Sequence, residues 1–317
     1  MQRALEVVIP TFHPPASFGE LLRRLSTQSL LPQAIRVINT GREFWNVTWE
    51  KEYPLLRVEH IQTKDFDHGG TRRHAMEKSK APVVVFMTQD AMPRDCFLLE
   101  RLYEALFQEE KIGAAYGRQL PRKDCFSPEK ETREFNYPSL SYVRSQEDLP
   151  RFGVKTYFCS NVCAAYRRDI YEKVGGFPDR AIFNEDMIYT GHMLQAGYKV
   201  AYAPGAMVFH SHNYSPHQQF HRNFDLGVSQ VQHPEVFSAF SSEGEGVKYV
   251  TQTGALLFRR RKWFSLWRLF SQSVAKYMGY LLGKRYRILP KKFLMACTMN
   301  RSYWQRQEVE GAETREK

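Results

Sequence analysis

Over the first 120 residues, short apolar runs alternate with stretches of helical periodicity. The runs EVVIPTF (6–12), AIRVINTG (34–41), LLRVEHI (55–61), VVVFM (83–87) and IGAAYGRQL (112–120) read as strands. Between them, three stretches read as helices: SFGELLRRLSTQS (17–29), the segment after the glycines at 69–70, and CFLLERLYEALFQ (96–108). Ser17, with Glu20 three residues on, predicts a cap for the first of these. Apolar strands separated by helices predict an α/β fold, a mostly parallel sheet with helices on both faces.

Residues 121–155 break the pattern. They are polar, carry Pro at 121, 128, 138 and 150, and read as a long loop or excursion, of the kind that is either functional or disordered. Order resumes with the strand TYFCSNVCAAYR, a helix near 168–174, the turn GGFP, the helix EDMIYTGHMLQAG and the strand KVAYAPGAMVFHSH. Further on, SPHQQFHRNFDLGVSQVQ and the longer KWFSLWRLFSQSVAKYMGYLLGKRYRILPKK both read as helices. In the longer one, Trp263, Leu266, Trp267, Phe270, Val274, Tyr277, Met278 and Leu281 share a face. That face suits either a helix lying in a membrane interface or the cover of a core.

Charge shifts the balance between the two. Residues 246–317 hold 16 Lys+Arg against 4 Asp+Glu, a net +12, which leaves 29 against 30 for the rest of the chain. A neutral body with a basic tail predicts an anionic partner, a membrane surface or a nucleic acid. The tail carries no RNA- or DNA-binding module, so the expectation is an anionic membrane surface and no nucleic acid. The opening MQRALEVVIPTF lacks the form of a signal peptide, and no apolar run reaches the roughly 18 residues of a span. The expected location is cytoplasmic. Five cysteines, at 96, 125, 159, 163 and 297, argue against a disulfide framework, and Cys159 and Cys163 are expected to be structural.

Four stretches carry candidate chemistry. Asp90 ends the strand VVVFM-TQD, and ligands of parallel sheets bind beyond such strand ends. It can hold a hard divalent cation or cap the next helix. Glu185 and Asp186 in FNEDM open a helix, where acids are favoured by the dipole or where one can take a proton from a hydroxyl. His210, His212, His217 and His221 crowd VFHSHNYSPHQQFHR; one is expected as a metal ligand or phosphate contact and the others as surface or packing residues. In DFDHGGTRR, Gly69 and Gly70 ahead of Thr71, Arg72 and Arg73 suit an anion at a helix N-terminus.

Taken in order, VVIPTF, DFDHGGTRR, VVVFMTQDAMP, GRQLP, FNYP, SNVCAAYRRDIYEKVGGFP, NED, AGYKVAYAPGAMVFHSHNYS and FDLGV resemble the family-2 glycosyltransferases of GT-A fold, and within them a bacterial rhamnosyltransferase branch. The resemblance implies a catalytic domain over residues 1–230 and a basic, membrane-associating helical region over 231–317. It further implies inverting transfer of a sugar, with dTDP-L-rhamnose as donor and a lipid-linked glycan as acceptor, at the inner face of the plasma membrane. By the same mapping Asp186 is the base with Glu185 beside it. Asp90 and His210, with His212 close enough to compete for the second place, are the ligands of a divalent cation, Mg²⁺ or Mn²⁺. Pro10, Thr11, Asp67, Gly70, Arg72 and Gln89 join Asp90 around the nucleotide. The family's Asp-x-Asp reads Thr88-Gln89-Asp90 here, so its first acid is missing. That departure keeps open an inactive, sugar-nucleotide-binding scaffold as the alternative.

Overall fold

The computed structural model describes residues 3–238 and 243–313. Nine strands form one sheet: β1 (Leu5–Phe12), β2 (Ile35–Thr40), β3 (Leu56–Ile61), β4 (Val83–Met87), β5 (Met92–Pro93), β6 (Ile112–Leu120), β7 (Tyr142–Arg144), β8 (Cys163–Arg167) and β9 (Lys199–Phe209). Their order is β3-β2-β1-β4-β8-β6-β9-β5, with β7 also on β9. The β3-β2-β1-β4 wing is parallel, as the alternation predicts. Every residue of β4 is buried, which is why its apolar run is unbroken. β8 instead runs antiparallel to both β4 and β6. The chain leaves β6 at its carboxyl end, makes the excursion and re-enters from that same end, so the next strand must run the other way.

The excursion has structure of its own, including the helix Ser127–Asn136 and β7. The cap expected at Ser17 does not form. Ser17 has helical dihedrals and makes no side-chain cap bond, while Glu20 turns to Arg23 and Arg24, each at 2.7 Å. All five cysteines are free thiols, and burial pushes the Cys159 thiol up to about 12. Such a thiol is unreactive.

The chain divides into two compact units. One comprises residues 1–123, 133–179 and 185–211; the other comprises 124–132, 180–184 and 212–317. The first holds the sheet, and its core contains Leu5, Val7, Ile9, Val83, Val85 and Met87. In the second, the helix Pro216–Gln232 starts at a capping box of Ser215 and Gln218. It crosses the helix Trp263–Lys284 at backbone contact. A Cβ on Gly279 would lie 2.2 Å from the Phe220 carbonyl oxygen, one on Gly283 2.1 Å from that of Phe224, and one on Gly227 2.5 Å from that of Tyr280. Glycine alone permits that approach.

The same long helix decides between the two readings of its apolar face. Leu269, Gly279, Tyr280 and Gly283 are buried, on the opposite side from most of the stripe. Trp263, Trp267 and Phe270 are 58%, 67% and 58% exposed, and Val274, Tyr277 and Met278 are exposed too. The stripe is surface, not core. Among the described residues no helix is long and apolar enough to cross a membrane.

Candidate functional site

The carboxyl ends of β1 and β4 are tied together by one side chain. The Phe12 N–H donates to Gln89 Oε1 and Gln89 Nε2 donates to the Phe12 carbonyl, each at 2.9 Å. The residue that stands next to Asp90 thus spends its whole amide on fixing two strand ends. Pro10 sits on β1 just before this tie, and Thr11, buried, donates to Asn39 Oδ1 at 2.9 Å. Thr88 Oγ1 is a buried polar atom without a hydrogen-bond partner among the described residues.

Asp90 is held by its backbone: Arg122 Nη2 donates to the Asp90 carbonyl at 2.6 Å. Its carboxylate Oδ2 lies 3.5 Å from Nε2 of the buried His210 at the end of β9. The other ring nitrogen, Nδ1, lies 3.0 Å from Gln119 Oε1. Gln119 Nε2 donates to Ser160 Oγ at 3.0 Å, and Arg133 donates to Gln119 Oε1, so the amide oxygen faces the histidine. Nδ1 therefore carries a proton, which leaves Nε2, on the Asp90 side, as the atom that can offer a lone pair. A lone pair and a carboxylate oxygen facing each other fit a cation between them, and the Gln119 bond is the outer support such a ligand needs. His212, two residues on, opens the second unit and stacks on Tyr214 at 4.9 Å.

The second cluster is built on the helix Glu185–Gln195. Glu185, 6% exposed, is paired with the equally buried Arg72 at 3.1 Å. Arg72 comes from the helix His68–Lys78, whose N-terminus Asp67 caps by accepting from Gly69 N and Gly70 N at 2.9 Å. Gly70 leaves no room for a side chain, since a Cβ would meet the Asp179 carbonyl at 2.6 Å. Arg73 turns away to Asp179 and to the Gly175 and Phe177 carbonyls. Asn161 joins the two acids: its N–H donates to Asp186 Oδ2 at 2.9 Å and its Nδ2 to Glu185 Oε1 at 3.0 Å. Tyr166 in turn donates to Asn161 Oδ1 at 2.8 Å.

The environments push the two acids apart. Burial is the largest influence on Glu185 and opposes its charge, but Arg72, then His68 and the Asn161 bond, together outweigh it and hold the carboxyl below its ordinary value. For Asp186, burial and then the neighbouring Glu185 charge raise it above the carboxylate range. One acid is thus kept ionised beside a cation, and the other is tuned to exchange a proton near neutrality.

Asp90 facing His210 at the strand ends, and the split acid pair on the helix Glu185–Gln195, complete the geometry of the site. The model of the family described as glycosyltransferase-like family 2 matches residues 3–225. The chain belongs to that family.

Relatives of this glycosyltransferase include the O-antigen chain rhamnosyltransferase RfbN of Salmonella typhimurium, 37% identical over 95% of this chain and 96% of that one. The O-antigen chain rhamnosyltransferase WbaN of Salmonella anatum is 39% identical over 94% and 95%. Solved structures share its fold. The mannosyltransferase PcManGT from Pyrobaculum calidifontis, in complex with GDP-Man and Mn²⁺, aligns with a TM-score of 0.55 at 15% identity over 95% of this chain and 86% of that one. TarS 1–349 of S. aureus in complex with UDP-GlcNAc gives 0.51 at 12% over 90% and 92%.

Of the residues expected from the glycosyltransferase resemblance, the structure brings together Asp90 with His210, and Arg72 with Glu185 and Asp186 through Asn161. Asp67, Gly70 and Gln89 have structural employment as cap, close contact and strand tie. Asn161 and Gln119 are the hydrogen-bond partners of these residues that the sequence does not announce. Asn161 stands inside CSNVC, where the cysteines draw the eye, and Gln119 inside GRQLP.

Proposed function

We propose that this glycosyltransferase moves L-rhamnose from dTDP-L-rhamnose to a hydroxyl of a growing, lipid-linked bacterial surface polysaccharide, with inversion at the anomeric carbon. The sugar and the polymer are supported by two relatives that carry the O-antigen chain rhamnosyltransferase name over nearly the whole chain. The single observation that carries the chemistry is the split pair of acids at 185 and 186. Asp186, its pKa raised, takes the proton as the acceptor oxygen bonds to the anomeric carbon and the bond to the diphosphate breaks. Glu185, kept anionic by Arg72, holds Asn161, whose N–H fixes Asp186 in place.

Asp90, His210 and His212 are proposed to hold a divalent cation, Mg²⁺ or Mn²⁺; each offers a ligand atom, and His212 follows His210 by two residues. When bound, the cation supplies charge neutralisation for the departing nucleoside diphosphate. The nucleotide is proposed to lie along the ends of β1 and β4, at Pro10, Thr11, Gln89 and Asp90, with Asp67, Gly70 and Arg72 at the head of their helix. The unpartnered Thr88 Oγ1 and Arg72 Nε, both buried, support a polar ligand there.

Residues 1–230 are assigned the catalytic work and 231–317 the attachment to the inner membrane face. The exposed Trp263, Trp267 and Phe270, in a tail of net charge +12, support anchoring on anionic lipid. Each basic residue near such a surface contributes about 1 kcal/mol.

The test is transfer by the purified protein, supplied with lipid-linked acceptor and a panel of dTDP-, UDP- and GDP-sugars, with Mn²⁺ and again with a chelator. Turnover of dTDP-L-rhamnose alone, abolished by the chelator, is the expected result. Preference for another donor overturns the sugar assignment, and turnover that survives chelation overturns the cation.

A further inference from the structure

A second imidazole pair lies in the second unit. On the helix Pro216–Gln232, His217 and His221 are four residues apart, the spacing that places side chains on one face. Their Nε2 atoms approach to 3.0 Å. His221 Nδ1 lies 2.7 Å from the Cys297 carbonyl oxygen, an acceptor only, so Nδ1 bears the proton and Nε2 the lone pair. His217 is exposed, and the pair opens onto a cleft also lined by Gln218, Thr298, Met299 and Arg301.

We propose that His217 and His221 form a binding site for a late first-row divalent cation such as Zn²⁺, Ni²⁺ or Cu²⁺, separate from the cation held by the sugar-transfer site. Three observations carry it. Two nitrogens 3.0 Å apart, each at the usual metal–imidazole distance of about 2.0–2.1 Å, subtend about 95° at a shared ion, an angle that adjacent ligands adopt. The second nitrogen of His221 donates to a carbonyl, the outer bond that fixes a ligating histidine in orientation and tautomer. Two imidazoles with no carboxylate lining the cleft among the described residues, unlike Asp90 at the first site, favour the nitrogen-seeking metals over Mg²⁺ and Mn²⁺, and the cleft leaves water to complete the coordination. Arg301, also in the cleft, opposes the added charge and weakens the site without blocking it.

The experiment is calorimetric titration of the full-length protein with Ni²⁺ or Zn²⁺ in the Asp90→Ala background, where the first site is disabled, with and without His217→Ala. His217 is exposed, and its removal leaves the His221 bond to Cys297 in place. The expected result is one equivalent of binding in Asp90→Ala that is lost in Asp90→Ala/His217→Ala, while His217→Ala alone transfers sugar at the wild-type rate. Cu²⁺ electron paramagnetic resonance should show coupling to two imidazole nitrogens in Asp90→Ala and to fewer in the double variant. An equivalent retained in Asp90→Ala/His217→Ala, or no transition-metal binding by Asp90→Ala at all, overturns the site.

Discussion

Replacing Arg72 by Met isolates the charge on Glu185. The pair is nearly shut off from solvent on both sides and 3.1 Å apart. At an effective dielectric of about 20, that separation corresponds to an attraction of about 5 kcal/mol. Breaking a buried pair by removing one partner costs about 3–5 kcal/mol, because the survivor's charge is stranded. Glu185 has an escape: it can take up a proton, which at pH 7 costs about 3.5 kcal/mol from an ordinary glutamate value. The escape sets a ceiling and a slope. In the variant the folded state then holds one proton more than the unfolded state above the ordinary glutamate value, so its stability falls as pH rises. Relative to wild type, where Arg72 keeps Glu185 ionised in the fold, the loss should be about 3.5 kcal/mol at pH 7 and about 2 kcal/mol at pH 6. Urea unfolding followed by tryptophan fluorescence at the two pH values measures it. The double variant Arg72→Met/Glu185→Gln should recover most of the loss, since the substituted amide carries no charge and can still accept from Asn161 Nδ2. A loss below about 1 kcal/mol at both pH values, against the 3–5 kcal/mol of a broken buried pair, would refute the idea that Arg72 sustains a buried carboxylate.

Three other substitutions test the second unit. Gly283→Ala puts a Cβ 2.1 Å from the Phe224 carbonyl oxygen and should cost at least about 2 kcal/mol by forcing the helices apart, whereas Gly254→Ala, with nothing closer than 3.9 Å, should stabilise by about 0.5–1 kcal/mol; thermal unfolding of both compares them directly. Asp225, raised to about 7 chiefly by burial, accepts from Thr298 and Met299 and binds its proton more tightly folded than unfolded. Its penalty is absent below about pH 4 and complete above about 7, so wild-type stability relative to Asp225→Asn should fall by up to about 1.4 kcal/mol per pH unit between those limits and then level off.

Much of the fold and of the site is legible in the sequence alone. A fully buried strand must be apolar throughout, so VVVFM marks β4 and puts Asp90 at a strand end. The order of short motifs then points to the two acids on a later helix. Pairings between distant segments are not legible. Nothing in DFDHGGTRR or FNEDM says that Arg72 meets Glu185, because that depends on how two helices converge on one sheet. Gln89 reads as the middle of a depleted metal motif, yet its amide has a structural job that only the placement of Phe12 reveals. Periodicity tells that Trp263, Trp267 and Phe270 share a face but not what that face meets, since core and membrane demand the same residues. β8 is legible as a strand, and its antiparallel sense follows from where the excursion returns.

The central claim is that Asp186 takes the proton of the acceptor hydroxyl. The direct measurement is the transfer rate of Asp186→Asn against wild type, with saturating donor and acceptor and with circular dichroism and nucleotide binding as controls. The asparagine keeps the shape and the bond from Asn161 N but cannot accept the proton. A rate lower by about 10²–10⁴-fold, with fold and nucleotide affinity intact, is the predicted result. A rate near that of wild type would contradict the assignment and move the base elsewhere in the site.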